Sequence, residues 1–446
     1  MPGRIEHVAI VGGGVSGVFQ TLTLLRQPDV RITLIERYDQ LSRGVAYSTR
    51  HPSHLLNVRA SNMSAHADAP DHFIEWLEAR GLGGAHDFVQ RKIYGDYLTE
   101  QLENAAATAG DRLRIVHGAA VDLLQDGAKL RLSLEDGASI TADVVILALG
   151  HFRPNVLPGI TPEAFGDTYI NDPWSPDLSR LHNEADTVLL AGTGMTMVDI
   201  AFQLVDSGFD GRIIAVSRRG LLPLSHPLQP LAVPPMETPI GTTQMSSLLA
   251  HTRKAANALG WHAAIDQLRP CLQTLWQTAS ADERTRFLRH LRPWWDIHRH
   301  RLSPVAHQRI EQLITEGRLE IAAGKFSAFE RDGARISIRW RCRGSQDKRH
   351  ENVNWLINCT GPGCDIAKSR NPLIQNLLAR GAIRPGYGRM GLDVTRESIV
   401  IRQDGAATPN LYALGPLTRG AFWEITAVPE IRVQTQQLAQ KLTAHT

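Results

Sequence analysis

The chain has 446 residues, of which 43% are hydrophobic and 21% are charged, and its formal net charge is +3. These values are typical of a folded protein with two or three domains, and they exclude a disordered chain. Because charges of both signs are interspersed, the composition gives no indication that nucleic acid or an anionic membrane is a partner.

The ends and the cysteines of the chain exclude further classes of protein. The first apolar run begins within a dozen residues of the N-terminus, which leaves no room for a signal peptide. No apolar run has the roughly 18–20 residues of a membrane span. The four cysteines form no Cys-x-x-Cys pair, which argues against a zinc ribbon or a thioredoxin-like redox centre. We therefore expect a cytoplasmic protein with free thiols.

The N-terminal region predicts a strand–helix–strand unit. A strand at 5–11 leads through a glycine turn into a helix over about 15–26, and Pro28 ends that helix before a strand at 31–36. The elements predicted next are helices near 71–80 and 93–109, an antiparallel insert at 113–134 and a buried parallel strand at 143–150.

A proline-rich stretch then indicates a linker between domains, with five prolines between residues 154 and 176. A second strand–helix–strand unit follows at 187–191, 195–207 and 212–217. Residues 244–318 are mainly helical in pattern and predict an insertion. The remaining elements are strands at 319–328, 334–340, 354–359 and 411–415, and a helix from about 428.

The first glycine loop has the pattern that holds a pyrophosphate. Gly12 permits a tight turn, Gly14 lets the backbone approach the phosphates, and Gly17 lets the helix pack on the strand. The helix starts at Val15 and Ser16, whose free N–H groups and positive dipole end favour an anion. Incidental glycines in an ordinary turn are the alternative interpretation.

An acid at the end of the second strand favours the dinucleotide. Glu36 lies 24 residues after Gly12, where a carboxylate accepts hydrogen bonds from ribose hydroxyls, and Arg37 follows it. An acid at this place indicates an adenosine without a 2′-phosphate, as in FAD or NAD.

The second glycine loop differs in its third glycine and at its strand end. Gly192 and Gly194 precede a helix that starts at Met195 and Thr196, but the third glycine is replaced by Met197. Two arginines, Arg218 and Arg219, follow the second strand of this unit at the place of the acid. Because guanidinium groups match a 2′-phosphate, they favour NADPH over NADH. A solvated basic pair is the alternative.

With both units in view, the chain resembles the flavoproteins that bind two dinucleotides, which include flavin-containing, Baeyer–Villiger and amine N-hydroxylating monooxygenases and glutathione-reductase-like enzymes. It is more closely similar to a bacterial family of FAD/NAD(P)-binding proteins. The residues that carry this similarity are 44–47, 54–58, 94–97, 294–301 and 422–430. The resemblance spans nearly the whole chain and implies FAD in the first unit and a nicotinamide dinucleotide in the second.

The resemblance also implies roles for single residues. Gly150 and Gly361 resemble the hinges at which the chain crosses between the two domains, and Gly44 lies in a matching segment. Gly415 ends the last strand of the FAD domain, but Pro416 replaces the acid that usually follows it. Val428 begins the final helix, whose N-terminus is expected to face the flavin pyrimidine. Asn57 and Trp423 are candidates to lie near the isoalloxazine, and no catalytic residue is assigned.

Three narrower functions are not supported by motifs. A disulfide reductase needs a redox-active cysteine pair near its FAD, and the sequence contains none. The Baeyer–Villiger fingerprint is incomplete, because Trp174 fits its aromatic position but Ile170 replaces its histidine. Three histidines, His290, His298 and His300, lie near Asp296 in the sequence, and histidine and aspartate can both bind metal ions. We interpret this segment as an interdomain or solvated helix end and predict no metal site.

We therefore predict an α/β fold with two Rossmann-like domains and a helical insertion. The FAD domain takes residues 1–170 and 355–446, and the NAD(P) domain takes 171–354 with the insertion at about 244–318. The predicted function is an FAD-containing, NADPH-dependent monooxygenase that uses dioxygen, through a flavin C4a-peroxide, to oxygenate nitrogen or sulfur in a small polar molecule. The alternatives are a flavin reductase or electron-transfer dehydrogenase, and an FAD-binding redox sensor. The sequence does not determine the substrate or the oligomeric state.

Overall fold

The computed structural model describes residues 5–444 except 39–40, 176–177, 179–180, 182–185, 232 and 234–240. Its strands are β1 (His7–Val11), β2 (Arg31–Glu36), β3 (Leu113–His117), β4 (Ala120–Asp126), β5 (Lys129–Leu134), β6 (Ser139–Ala142), β7 (Val144–Leu147), β8 (Tyr169–Ile170), β9 (Thr187–Ala191), β10 (Arg212–Ser217), β11 (Leu319–Asp332), β12 (Arg335–Cys342), β13 (Lys348–Val353), β14 (Trp355–Asn358), β15 (Ile399–Ile401) and β16 (Ala407–Ala413). Its helices are α1 (Val15–Leu24), α2 (Gly44–Tyr47), α3 (His72–Glu78), α4 (Arg91–Ala109), α5 (Pro162–Phe165), α6 (Met195–Asp206), α7 (Met245–Leu259), α8 (Trp261–Leu268), α9 (Leu272–Thr278), α10 (Ala281–Arg286), α11 (Arg292–Arg299), α12 (Pro304–Thr315), α13 (Pro372–Ala379) and α14 (Val428–Thr443).

The first sheet joins the two ends of the chain. Within the described residues it has the strand order β15-β16-β7-β1-β2-β3, and β1 pairs in parallel with both β2 and β7. The apolar residues 8–11 and 144–147 are buried, as expected for strands covered on both faces. Residues 113–117, predicted as part of the antiparallel insert, instead pair in parallel with β2. The insert is formed by β4, β5 and β6.

The second sheet has the order β13-β12-β11-β10-β9-β14-β8 in the described part of the chain. Its β9–α6–β10 unit repeats the β1–α1–β2 unit of the first sheet, and this confirms the predicted α/β fold with two Rossmann-like units. The predicted boundaries assign 169–170 and 355–358 to the first unit. In the structure β14 pairs with β9 and β8 pairs with β14, so the proposed second unit has to be extended to include both strands.

The predicted insertion divides into two parts. Helices α7 to α11 form its main body. The last helix, α12, packs on the second sheet instead, where Ile310 and Leu313 share a core with Leu319 at the start of β11. No helix among the described residues is both long and apolar enough to cross a membrane.

The chain crosses between the two sheets at two adjacent places. Phe152, after β7, forms an antiparallel bridge with Gly363, after β14, through hydrogen bonds of 3.3 and 3.1 Å. The Asn358 amide also donates to the carbonyl of Asn155 at 2.9 Å. The two crossings therefore support each other.

A buried ion pair further fixes the two units to each other. Arg91 of α4 lies 2.8 Å from Asp199 of α6, and both side chains are largely buried. His54 reaches the same helix, since its Nε2–H donates to the Asp199 carbonyl at 3.1 Å and its Nδ1 accepts from Thr49 at 2.7 Å. Each ring nitrogen of the neutral imidazole therefore has a hydrogen-bond partner.

We expect the unfolding free energy to fall in mild acid because of His54. Burial, followed by the charge of Arg91, lowers the pKa of His54 from 6.5 to about 4. The unfolded chain takes up a proton near pH 6.5 and the folded chain only near pH 4, so this stabilisation is full above pH 6.5 and is lost as the pH falls toward 4. Between pH 7 and pH 5 the loss should be about 2 kcal/mol.

Urea unfolding of the native chain and of a His54→Gln variant at both pH values measures this contribution. The native chain should lose about 2 kcal/mol more than the variant. Replacement of the exposed His290 by glutamine provides the control. Equal losses in the native chain and in H54Q would show that His54 does not couple protonation to folding.

Candidate cofactor and substrate site

The two glycine loops have the same backbone geometry. Gly12 has a φ of +110°, and its N–H donates to the Ile35 carbonyl at 2.8 Å. Gly192 has a φ of +124°, and its N–H donates to the Val216 carbonyl at 2.8 Å. A Cβ atom on either glycine would lie 2.4 Å from a carbonyl oxygen, that of Ala148 or of Cys359. The turn therefore requires glycine at both places.

The third position of the motif differs between the loops, as its sequence indicates. A Cβ on Gly17 would lie 1.9 Å from the Gly12 carbonyl oxygen, so α1 runs very close to its loop. In α6 the equivalent Met197 is fully buried in the core of the second sheet. The larger residue is accommodated by that core.

The protein itself does not require glycine at the middle position of either loop. Gly14 and Gly194 have φ values of −75° and −91°, which any residue can adopt. A Cβ on Gly194 would meet no atom within 4 Å, and one on Gly14 would meet only the Gly44 Cα atom, at 3.7 Å. Both positions face open space beside a helix N-terminus, which is the arrangement that allows phosphates to approach the backbone.

The helix N-termini beside these glycines are free of side-chain caps. Neither Gly14 before α1 nor Gly194 before α6 is accompanied by a capping hydrogen bond from a described side chain. The first N–H groups of each helix, which include those of Val15 and Ser16 and of Met195 and Thr196, have no partner within their own helix. They can therefore donate to a bound anion.

Glu36 supports the first loop and retains capacity for a ligand. Its Oε2 accepts from the Gly13 N–H at 2.6 Å, and its Oε1 accepts from the Tyr38 N–H at 2.9 Å. An ionised carboxylate has about four acceptor sites, so two remain for ribose hydroxyls. Arg37 next to it is exposed and stacks on Tyr38.

The second unit has cations directly after the position at which the first unit has this acid. Since Val216 corresponds to Ile35, Ser217 occupies the position of Glu36, and its Oγ accepts from the Gly220 N–H at 3.0 Å. Arg218 is exposed, and the guanidinium of the half-buried Arg219 lies 5.8 Å from the Trp294 ring. Neither arginine forms an ion pair with a described carboxylate, so both can bind an anionic group.

The other predicted site residues fall into three places. Gly44 faces Gly14, and a Cβ on Gly415 would lie 2.1 Å from Ser16 Oγ, so both border the first loop. Gly150 and Gly361 follow β7 and β14 and have open space around them. Asn57 lies at the contact with the second unit, where its carbonyl accepts from His226 at 2.9 Å.

Trp423 and the final helix belong to a buried cluster that sequence reasoning did not find. Its charged members, here called the charge cluster, are the buried Arg299 and Glu424 and the half-buried Asp296, His300, Arg419 and Glu430. Arg299 Nε lies 3.3 Å from Glu424 Oε2, and Trp295 Nε1 donates to Glu424 Oε1 at 2.8 Å. The cluster joins α11 of the insertion to the N-terminus of α14, which begins at Val428.

Aromatic rings cover the charge cluster on the insertion side. Trp423 is 2% exposed, and its ring centroid lies 5.0 Å from that of Trp276 and 5.1 Å from that of Phe287. The Trp276 Nε1–H donates to the Gly420 carbonyl at 2.9 Å. This packing excludes water from one side of the charges.

Several polar atoms of this region are buried without a hydrogen-bond partner among the described residues. They are Asp296 Oδ1, Arg299 Nε and Nη2, Arg419 Nε, Trp423 Nε1, Glu424 Oε2 and Glu430 Oε2. Arg299 Nε and Glu424 Oε2 lie 3.3 Å from each other in an ion pair, whereas Arg419 Nε and Trp423 Nε1 have no such partner among the described residues. Buried polar groups in folded proteins are almost always satisfied, so these two atoms indicate a place where a polar ligand binds.

Two histidines of the region stay neutral near pH 7. His151 follows the hinge glycine Gly150 and is exposed, yet burial by the surrounding protein and the charge of Arg419 lower its pKa to about 4. Burial also lowers the pKa of His300.

The predicted histidine block does not assemble as one group. His298 stacks on Trp261 with ring centroids 5.0 Å apart, His300 joins the charge cluster, and His290 is exposed. The described residues contain no group of three or more histidine, cysteine, aspartate or glutamate side chains that could hold a metal ion.

Comparison with known proteins supports the interpretation of the first unit. Residues 9–152 match a family model described as FAD-NAD(P)-binding. No curated protein matches the chain by sequence. The family model agrees with the cofactor class that the glycine loops predict.

Solved structures show the same architecture over the whole chain. L-lysine 6-monooxygenase from Pseudomonas syringae is 15% identical with a TM-score of 0.68, and 99% of each chain is covered. Ornithine N-hydroxylase from Kutzneria sp. 744 is 14% identical with a TM-score of 0.65, covering 99% of this chain and 100% of that chain. Bacillithiol disulfide reductase from Bacillus cereus is 12% identical with a TM-score of 0.59, covering 99% of both. The chain therefore has the fold of the flavoproteins that bind two dinucleotides.

Proposed function

We propose that the protein is an FAD-containing, NADPH-dependent oxidoreductase that oxygenates nitrogen or sulfur in a small polar molecule. The observation that carries this proposal is the pair of geometrically equivalent glycine loops whose strand ends differ in charge. An acid at Glu36 suits an adenosine ribose with free hydroxyls, while arginines at 218 and 219 suit a 2′-phosphate.

In this proposal the first unit holds FAD. The loop at Gly12 and Gly14 and the N-terminus of α1 receive the pyrophosphate, and Glu36 accepts from the ribose. Gly44 and Gly415 border the first loop, because a Cβ on Gly44 would lie 3.6 Å from the Gly14 Cα atom and one on Gly415 would lie 2.1 Å from Ser16 Oγ. Bound FAD supplies the hydride acceptance and the reaction with dioxygen that no amino-acid side chain can perform.

The second unit holds NADPH in the equivalent way. Gly194 and the N-terminus of α6 receive its pyrophosphate, and Arg218 and Arg219 bind the 2′-phosphate. The paired crossings at Phe152 and Gly363 keep the two units side by side, as transfer of hydride between two bound dinucleotides requires.

The charge cluster and its aromatic cover form the proposed substrate side of the site. Trp276, Phe287 and Trp423 exclude water from one side, which strengthens electrostatic interactions inside. The neutral rings of His151 and His300 retain a nitrogen lone pair that can accept a hydrogen bond from a substrate N–H group.

The names of two structural neighbours suggest the first substrates to test. One is a lysine monooxygenase and the other an ornithine N-hydroxylase, and both names denote oxygenation of an amino acid. We therefore take L-lysine, L-ornithine, other primary amines and thioethers as probes.

An electron-transfer reductase is the second candidate, because bacillithiol disulfide reductases share the fold. The cysteines favour the first candidate over a reductase with a disulfide centre. All four cysteines lie in the described residues as free thiols, and Cys359 is fully buried, which raises its pKa. A buried thiol of raised pKa is a poor nucleophile.

The test follows NADPH, dioxygen and hydrogen peroxide together in purified, FAD-loaded protein. Anaerobic NADPH should bleach the flavin. In air, a true substrate should accelerate NADPH oxidation, lower the peroxide formed per NADPH, and yield a product labelled from ¹⁸O₂. Bleaching with all electrons recovered as peroxide, or passed to a quinone, for every probe would favour the reductase. Absence of bleaching would favour a redox sensor.

A further inference from the structure

Arg419 is a cation left without a counter-ion in the charge cluster. Three other arginines of the region have carboxylate partners, since Arg299 and Arg269 contact Glu430 and Arg292 contacts Asp296. Among the described residues, Arg419 has neither an ion-pair partner nor a hydrogen-bond partner for its guanidinium, and its Nε is buried. The residue as a whole is half-buried, and a cation that is partly removed from water is unfavourable unless an anion binds it.

The neighbours of Arg419 give it a fixed place. Its guanidinium lies 4.8 Å from the Trp423 ring, and Arg292 lies 5.7 Å from the same ring. The repulsion from Arg292 adds to the cost of its charge. Cation–π stacking orients the group without neutralising it.

The position of Arg419 in the fold is that of a ligand-binding group. His151, Cys364 and Arg419 follow β7, β14 and β16 and interact electrostatically. Ligands of open α/β sheets bind beyond the carboxyl ends of the strands, and these three residues come from such ends in both sheets. Arg419 thus belongs to a group of residues at the strand ends, where ligands of such sheets bind.

We infer that Arg419 binds the carboxylate of the substrate, so that the substrate is a small organic molecule with one carboxylate group. This inference rests on the proposed function and names the substrate class of the same site. A planar guanidinium matches a carboxylate through two parallel hydrogen bonds. The acids Asp296 and Glu424 lie close enough to act on the charge of Arg419, and they would repel a dianion such as phosphate.

Equilibrium binding of benzoate to FAD-loaded protein tests the inference without any turnover. Calorimetry and tryptophan fluorescence should show that benzoate binds more tightly than the uncharged benzamide and than inorganic phosphate. Arg419→Gln should weaken the binding of benzoate by about 10- to 150-fold, which is the loss of affinity expected when hydrogen bonds to a charged group are removed. Arg419→Lys should recover part of the affinity, because lysine keeps the charge but not the fork geometry.

Arg284→Gln is the matched control. Arg284 stacks 4.7 Å over Tyr387 in the same aromatic region, but its Nε donates to the Ala279 carbonyl at 3.0 Å, so it needs no ligand. This variant should bind benzoate as the native protein does. The melting temperature adds a second readout, because removal of an unpaired half-buried cation should not destabilise the fold, whereas removal of a structural arginine should.

Unchanged benzoate affinity in R419Q would overturn the inference. If the flavin reduction potential of that variant were also lower, Arg419 would serve the flavin instead. Failure of the proposed oxygenation is distinguishable, because Arg419-dependent benzoate binding without any oxygenated product would reject that function and leave the carboxylate site standing.

Discussion

Gly12→Ala should abolish FAD binding and destabilise the protein by about 2–5 kcal/mol. The added Cβ would lie 2.4 Å from the Ala148 carbonyl oxygen, and the φ of +110° is unfavourable for alanine. The clash is with backbone at the end of β7, so no side-chain rotation relieves it. The flavin absorbance of the purified protein and its melting temperature measure the two effects.

Gly14→Ala separates cofactor binding from folding. Its Cβ would meet no protein atom closer than 3.7 Å, and its φ of −75° suits alanine. We expect a normal melting temperature for the cofactor-free protein and an FAD affinity at least about tenfold lower, since the methyl group would occupy the phosphate approach. Gly81→Ala, at an open site with a φ of +64°, should lose about 1 kcal/mol of stability and keep FAD. Normal FAD affinity in G14A would mean that the pyrophosphate lies elsewhere.

Arg218→Ala should raise the KM for NADPH by about 10- to 100-fold and change the KM for NADH by less than about threefold. Arg218 is exposed and has no ion-pair partner among the described residues, so its removal costs little stability. Only NADPH carries the 2′-phosphate that its guanidinium would bind. Anaerobic flavin reduction by each nucleotide, followed by stopped flow, gives both constants.

Arg37→Ala is the matched control for this experiment. Arg37 stands at the corresponding place in the first unit, directly after Glu36, and it is also exposed. This variant should leave the preference between the two nucleotides unchanged. An equal effect of R218A on the KM for NADPH and on the KM for NADH would contradict the assignment of the 2′-phosphate site.

The two nucleotide-binding units could be predicted because their signals are local. The turn at Gly12 depends on contacts of a short strand–helix–strand segment, and the same spacing recurs at Gly192. The assignment of FAD to Glu36 and of NADPH to Arg218 stays a prediction, since it depends on ligand chemistry at strand ends. The agreement of the fold with known flavoproteins does not test it.

The strands that were misassigned have no local signal for their sheet. Residues 113–117 pair with β2 and residues 355–358 with β9, choices that only tertiary packing makes. The strand at 348–353 was not predicted at all, because Lys348-Arg349-His350-Glu351-Asn352-Val353 has no run of apolar residues.

The charge cluster could not be predicted from the sequence for a different reason. Trp295 and Glu424 are separated by 129 residues and meet only when the insertion folds over the end of β16. The sequence motifs containing Trp423 and His300 could be recognised, but not their shared burial. A half-buried cation without a carboxylate, such as Arg419, is visible only in three dimensions.

The bridge between Phe152 and Gly363 restricts how the molecule can move during a reaction cycle. A large swivel of one unit against the other would have to separate the bridged crossings and pull Arg91 away from Asp199. Such a swivel would leave the charges of Arg91 and Asp199 without their partners. The two units are therefore expected to keep one mutual orientation from the first substrate to the last product. Cross-linking the two units to each other should therefore leave turnover intact.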